Sequence, residues 1–242
     1  KPLVKKLAGQ SLPPSFKRPI TAMGETESPL LASSRTWKRH GQSGAWVSDW
    51  LPHTAGCVDD LAVIRSCWTN GINHSGGVCQ MNTGQPLAGR PSLGSWVNYG
   101  LGTENENLPG FISIGPSMGN GGPRNYSNAF LPSAYQGTTI GRAGIPAKDS
   151  TIKNITAPGV DPKDQRKQFE LLRALNAEQA KRRPGDDELD AVISSFERAW
   201  RMQNNAPGIL DLSKESAKTL AMYGIDQKPT DNFGRYCLMA RR

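Results

Sequence analysis

Hydrophobic positions along this chain change rhythm several times, and each change predicts an element. Residues 61–64, Leu-Ala-Val-Ile, form a compact and partly β-branched apolar run after Asp59-Asp60. That pattern predicts a buried strand over residues 61–66. A polar, glycine-broken turn follows over residues 69–77, and then a helix over residues 75–84. Upstream, Val47, Trp50 and Leu51 recur at helical spacing and predict a helix within residues 46–57, with Pro52 kinking it or lying in its early turns. Before residue 45 the prolines at 2, 13, 14, 19 and 29 break any long periodic element. One short helical turn over Leu3, Leu7 and Leu12 and surface loops over residues 28–34 and 37–44 are expected there.

Downstream, Leu93, Trp96, Val97 and Leu101 predict a short helix with Pro91 at its start and Gly100 or Gly102 at its end. Residues 108–114 read as a strand. Residues 115–157 are long, glycine-rich and aperiodic, anchored by Phe130, Leu131, Tyr135 and Ile140. The character changes at Asp161-Pro162, which opens a helix with Phe169, Leu172 and Leu175 on one stripe. After Arg183-Pro184-Gly185, Asp186-Asp187-Glu188 caps a second helix carrying Leu189, Val192, Ile193, Phe196 and Trp200. A third helix is expected over residues 213–224, with Ser213 as its cap and Gly224 as its stop, and a fourth from Asn232. The helix–strand–helix rhythm around residue 61 points to an α/β fold with a parallel sheet, flanking helices and a helical hairpin in the second half. Residues 1–160 form the sheet-associated, loop-rich part and residues 161–242 the helical part.

Composition narrows this picture. Apolar residues make up 36% of the 242 positions and aromatics 7%, so the core is sparing, and 26 Gly with 18 Pro imply many loops. The chain opens at Lys1 and ends Met239-Ala240-Arg241-Arg242 in what reads as a helix, the pattern of an internal fragment. No run of eighteen apolar residues exists to span a membrane. The net charge of +8 is scattered and accompanies no helix-turn-helix, zinc-finger or RNA-recognition pattern, so a solvated basic surface and no nucleic-acid partner are expected. The four cysteines, at 57, 67, 79 and 237, have neither zinc-ligand nor disulfide-framework spacing and are expected to be unpaired.

Candidate chemistry gathers at the turn after residues 61–66. Asn73, His74 and Ser75 stand at the start of the helix that follows, where free N–H groups and the positive end of the dipole favour an anion. An ordinary turn rich in capping residues has the same composition. His40 and His53 read as surface residues. In the glycine-rich loop, Arg124 with Asn125 beside it is the candidate substrate contact, because a planar guanidinium suits sulfate, phosphate or carboxylate. A neighbouring carboxylate or carbonyl would satisfy the same side chain. If residues 61–66 belong to a parallel sheet, His74 is expected in a solvent-reachable pocket at the sheet's carboxyl edge, with residues 119–125 near it.

Several longer stretches carry a resemblance. Residues 57–66 (Cys-Val-Asp-Asp-Leu-Ala-Val-Ile-Arg-Ser), Asn73-His74, Asn82-Thr83-Gly84, residues 89–97 (Gly-Arg-Pro-Ser-Leu-Gly-Ser-Trp-Val) and residues 99–105 (Tyr-Gly-Leu-Gly-Thr-Glu-Asn) are among them. With Gly122-Pro-Arg-Asn125, Tyr135-Gln-Gly137 and the terminal Phe233-Gly-Arg-Tyr-Cys-Leu-Met-Ala-Arg-Arg242, they resemble the bacterial domain-of-unknown-function family 1501. That family is similar to sulfatases and alkaline phosphatases, so the resemblance implies a partial alkaline-phosphatase-like sheet. It also implies a metal-dependent sulfate- or phosphate-ester hydrolase, with a divalent ion as cofactor and a small-molecule or polysaccharide ester as substrate. The alternative is a scaffold of the same superfamily that binds an anionic ligand such as a polysaccharide without turning it over. Family members commonly carry a twin-arginine leader, which implies export to the periplasm.

The resemblance also implies a division of labour. Lys1-Pro2 looks like the end of an upstream Asp-rich motif, and most metal ligands of such a site would lie outside this stretch, which would itself be inert as a hydrolase. In sulfatases a nucleophilic Cys lies nine residues before the Thr that closes the helix. Counting back nine from Thr83 reaches His74, and Val78 stands where the sulfatase Arg would be. His74 is therefore a metal ligand, a phosphoryl acceptor or a general acid–base, with Ser75 a weaker nucleophile candidate.

Overall fold

The computed structural model describes residues 2–18, 20–21, 24, 27–105 and 107–242. They gather into two compact units, Lys1–Asn73 and His74–Arg242.

The first unit opens with the short helix α1 (Pro2–Lys6), then forms a hairpin. Strands β1 (Trp37–His40) and β2 (Ala45–Ser48) pair antiparallel, with Trp37 opposite Ser48 and Arg39 opposite Trp46. The turn between them holds Gly41 at φ +65° and Gly44 at φ +61°. It is closed from outside by Asp59, whose carboxylate accepts the Gln42 and Ser43 N–H groups at 2.8 and 3.0 Å. A side chain at Gly41 would collide with that carboxylate, so glycine is required there for space as well as for φ.

This hairpin replaces the expected loop over residues 37–44 and the first part of the expected helix over residues 46–57. Val47 lies in β2 and Trp50 beyond its end, so their spacing of three marks no helical stripe. Val47 is buried while its neighbour Trp46 is exposed, and the Arg39 guanidinium lies 5.4 Å from the Trp46 ring centre. Helix survives only as α2 (Pro52–Gly56), with Pro52 in its first turn, where no N–H is needed. A single 3-10 turn covers residues 58–60. Val47, Ala55 and Val58 form the buried cluster, with Ala45 against it.

Residues 61–66 are not a strand. The apolar run is open to solvent, with Ile64 74% exposed. A strand needs a partner for its ladder, and the two sheets among the described residues are the β1–β2 hairpin and a pair in the second unit.

The second unit begins with α3 (His74–Thr83) and α4 (Leu93–Leu101), both close to their expected bounds. Gly102, at φ +70°, ends α4 by donating its N–H to the Asn98 carbonyl. Its buried face is not the apolar stripe. Ser92, Ser95 and Asn98 are buried, whereas Leu93 and Leu101 are exposed. The Ser92 N–H and the Ser95 hydroxyl both donate to the Ser127 carbonyl, at 2.9 and 3.1 Å, so small polar groups form the contact.

Strand β3 (Ile112–Ile114) pairs in parallel with β4 (Thr138–Ile140), Ile112 opposite Thr138 and Ile114 opposite Ile140. A parallel pair demands a long crossover. Here it is the glycine-rich loop, which contains 3-10 turns at Gly122–Tyr126 and Ser133–Tyr135. The chain thus has the mixed helix and sheet content of an α/β protein, with two small sheets.

The helical hairpin forms as expected from α5 (Pro162–Arg182) and α6 (Asp187–Asn205). Asp161 and Asp186 cap them by accepting the Lys163 and Leu189 N–H groups at 2.8 and 3.0 Å. Phe169 and Trp200 stack across it with ring centres 4.7 Å apart. After α7 (Pro207–Leu210) and a 3-10 turn at Leu212–Lys214, α8 (Ala217–Met222) is shorter than expected. Its cap is Ser216, not Ser213, because Asp211 captures the Ser213 N–H in the preceding turn. Helix α9 (Asp231–Arg241) closes the unit and buries Gly234, Leu238 and Met239. Gly234 sits so close to the Tyr223 carbonyl that any Cβ would collide with it.

Around α9 lies the larger core, which gathers Ile140, Ile152, Met202, Ala206, Leu212, Ile225, Leu238 and Met239. Burying a side chain such as Leu238, fully enclosed here, stabilises by about 1.5–3 kcal/mol. The four cysteines are free thiols, Cys79 buried and Cys237 half-buried.

Candidate functional site

Helix α3 is held by its own short polar side chains. Asn82 Nδ2 donates to the Val78 carbonyl and Thr83 Oγ1 to the Cys79 carbonyl, at 2.9 and 2.8 Å. Gly84, at φ +77°, returns its N–H to the Gln80 carbonyl and stops the helix. Cys79 is the buried residue that anchors it. His74 opens α3 and is exposed, as is Ser75. Asn73, also exposed, is the last residue of the first unit.

Helix α3 packs on the 3-10 turn Gly122–Tyr126, which carries Arg124 and Asn125, and α4 touches the same turn. The turn is tight because Asn120 and Gly121 both have positive φ and the Gly122 N–H returns to the Gly119 carbonyl at 2.9 Å. Asn125 Nδ2 donates to the Asn120 carbonyl at 3.0 Å and braces it. Its Oδ1 is buried and lacks a hydrogen-bond partner among the described residues. Arg124 is exposed and makes no ion pair among them. An exposed guanidinium on a braced turn is a ready contact for an oxyanion.

The elements bearing His74, Ser75, Arg124 and Asn125 are therefore packed together, but not for the reason expected. The argument that put His74 at the carboxyl edge of a sheet fails, because residues 61–66 form no strand. His74 is exposed and lines neither the cavities beside α9 nor the cleft between α5 and α6. What stands is α3 packed on a turn that carries an exposed arginine.

Sequence reasoning missed the rings beside it. Trp96 and Tyr99 of α4 meet edge to face, with centres 6.0 Å apart. Trp96 meets Phe130 at 5.8 Å and Tyr99 meets Tyr135 at 5.2 Å in the same manner. Trp96, Tyr99 and Phe130 all remain well exposed. The signal was present in the spacing of Trp96 and Tyr99, three apart on a helix, though it reads equally as a core stripe.

Residues 1–242 match the family described as Protein of unknown function (DUF1501). The chain belongs to that family. No curated protein and no solved structure matches it.

The divalent ion that the resemblance implies needs three or four protein ligands. Helix α3 offers His74 and the buried Cys79, and the turn at 122–126 offers no His, Cys, Asp or Glu. Among the described residues no group of three or more such side chains converges. The residues of this site do not by themselves fit a metal ion.

Proposed function

We propose that this chain supplies the anion-contacting part of a sulfate- or phosphate-ester hydrolase of the alkaline phosphatase superfamily, with β3 and β4 as a portion of its parallel sheet. The observation that carries the reading is the packing of α3 on the turn that holds Arg124 and Asn125. The positive end of the α3 dipole and the Arg124 guanidinium are both suited to an oxyanion, and both strengthen their hold as negative charge grows on it. His74, adjoining that position, is the candidate proton carrier or phosphoryl acceptor, with Asn73 and Ser75 on either side of it in the chain.

A second reading is favoured by the exposed ring row of Trp96, Tyr99 and Phe130 on α4 and its neighbour. Exposed rings on an element that touches the Arg124 turn suit an anionic polysaccharide held without turnover. Export to the periplasm remains part of both readings.

Titration of the purified protein with sulfate, phosphate and their p-nitrophenyl esters tests the shared anion site. Arg124→Gln is expected to weaken binding by roughly tenfold or more, the loss of one charge-assisted hydrogen bond. Binding unchanged in that variant would remove Arg124 from the site. Binding of the p-nitrophenyl esters that weakens in His74→Ala supports the hydrolase reading, and tight binding of a sulfated oligosaccharide that is unchanged in His74→Ala supports the scaffold.

A further inference from the structure

Three of the chain's six tryptophans fall at positions 37, 46 and 50, in and beside the β1–β2 hairpin. Its register puts them on one side. Residues opposite each other share a face, so Trp37 stands with Ser48 and Arg39 with Trp46. The ladder runs one pair further, because the Asp49 N–H donates to the Thr36 carbonyl at 3.1 Å. The next pair out is then Arg35 with Trp50, and the Arg35 guanidinium lies 3.9 Å from the Trp50 ring centre. Arg, Trp, Arg along one edge thus faces Trp, Ser, Trp along the other.

The opposite side of the ribbon carries Ala45 and Val47, which join Ala55 and Val58 in the core of the first unit. The Arg and Trp side is left to solvent. All three indoles and both arginines are exposed, and Ser48 is the one buried member. Each guanidinium is held over its own indole, which orients its planar fork. Neither makes an ion pair among the described residues. Asp49, whose charge reaches Arg35, falls on the core side by the same alternation. Asp59 is taken up by the turn amides. Trp37 lies between the two arginines with no cation or ring over it among the described residues.

This order of charges and rings selects the partner. At the rise of a strand, Arg35 and Arg39 are about 13 Å apart along the chain. Each is turned to a different ring, so one small anion does not engage both, whereas a polymer does. The negative face of an indole attracts the C–H groups of a sugar ring. Cation, open ring, cation is therefore the complement of a sugar chain that carries its anions at intervals. Single-stranded nucleic acid bears a charge on every unit and is held by a groove of many cations, of which this face has two. A bilayer surface calls for continuous apolar area, which the arginines interrupt.

We infer that Arg35, Trp37, Arg39, Trp46 and Trp50 form a binding face for an acidic polysaccharide with sulfate or carboxylate groups on alternate sugars. The ligand class is that of the scaffold reading, but the inference rests on the first unit alone. A κ-carrageenan hexasaccharide, sulfated on alternate sugars, is the probe, titrated into the whole chain by calorimetry and by the indole N–H signals of the tryptophans. Saturable binding is expected, with the signals of Trp37, Trp46 and Trp50 moving together. Inorganic sulfate and the desulfated hexasaccharide should bind at least tenfold more weakly.

The double variant Arg35→Gln, Arg39→Gln should weaken binding by about tenfold or more, and Trp37→Ala by roughly tenfold without any change of charge. Unchanged Gln42 and Ser43 amide shifts would show that the hairpin persists in both. Lys38→Gln removes the same charge from the other side of the ribbon and should change affinity by less than about twofold. Arg124→Gln should leave the three indole shifts in place. An effect of Lys38→Gln as large as that of the arginine pair would reduce the face to general basic attraction and overturn the inference. So would oligothymidylate or phosphatidylglycerol vesicles binding more tightly than the hexasaccharide, or no saturable binding. Movement of the Trp96 indole instead of these three would also overturn it, and would leave the scaffold reading standing.

Discussion

In the first unit the buried cluster is Val47, Ala55 and Val58, all from residues 47–58, so every contact is local in the chain. The second unit assembles its cluster from residues as far apart as Ile140 and Met239, and packs β3, α6, α8 and α9 around it. Local contacts need little loop closure, yet they bury few side chains, and the hairpin must lean on polar bonds such as those to Asp59. The distant contacts cost more chain entropy and return a core that no single segment can leave alone. One unit is a hairpin pinned at its turn, and the other is a packed body closed by its last helix.

The sharpest test of that contrast is Leu238→Ala. Leu238 is fully enclosed, so the substitution should destabilise the second unit by about 2–5 kcal/mol. Urea unfolding followed by helical circular dichroism checks this, since the long helices α5 and α6 belong to that unit. A loss below about 1 kcal/mol would mean that α9 is not the closing element.

In the first unit the matching change is Val47→Ala, which removes two carbons from a small cluster. At about 0.8 kcal/mol per buried methylene, roughly 1.6 kcal/mol is expected. Faster hydrogen exchange at the paired amides of β1 and β2, with α9 unchanged, is the signature. Equal acceleration in α9 would show that the two cores do not act separately.

The same contrast explains what was legible beforehand. Helices α5 and α6 were readable to their caps because Asp161 and Asp186 act on N–H groups within three residues. Helix α3 was readable from the glycine that stops it. Of the strands, β3 was legible within the run 108–114, whereas the β1–β2 hairpin was not, because pairing is decided elsewhere in the chain. Trp37–His40 forms a strand only because Ala45–Ser48 lies opposite, while the more strand-like residues 61–66 have no such partner among the described residues. At the candidate site, the residue types of His74 and Arg124 were visible, and the packing of α3 on the turn was foreseen for a reason that failed. The cavities beside α9 were invisible because their walls come from residues 144–150, 210–213 and 220–239 together.

Acid probes the polar pin of the first unit. Bonds from the Ser43 and Gln42 N–H groups hold the Asp59 carboxyl below its ordinary value of 3.8. A folded value below the unfolded one means that the bonds stabilise fully above pH 3.8 and fade as pH falls through the lower folded value. The Gln42 and Ser43 amide shifts should therefore stay constant down to about pH 4 and move together below it. A transition at pH 5 to 6 would assign the turn to another group. Asp59→Asn should shift both amides at neutral pH and abolish their acid transition.

The smallest expected effect is the most pointed, because it concerns the apolar run that most resembled a core strand. Ile64 is 74% exposed, and none of the backbone hydrogen bonds among the described residues comes from the N–H groups of residues 62–66. Ile64→Ser removes neither packing nor a ladder bond, so stability should change by less than about 0.5 kcal/mol. The amides of residues 62–66 should exchange near the rate of unstructured chain, in contrast to those of α9, which open only with the core. Slow exchange at these amides, or a loss above about 1 kcal/mol in Ile64→Ser, would mean that the run is paired in solution. That result would restore the sheet edge as the setting of His74, and with it the pocket that the open surface now replaces.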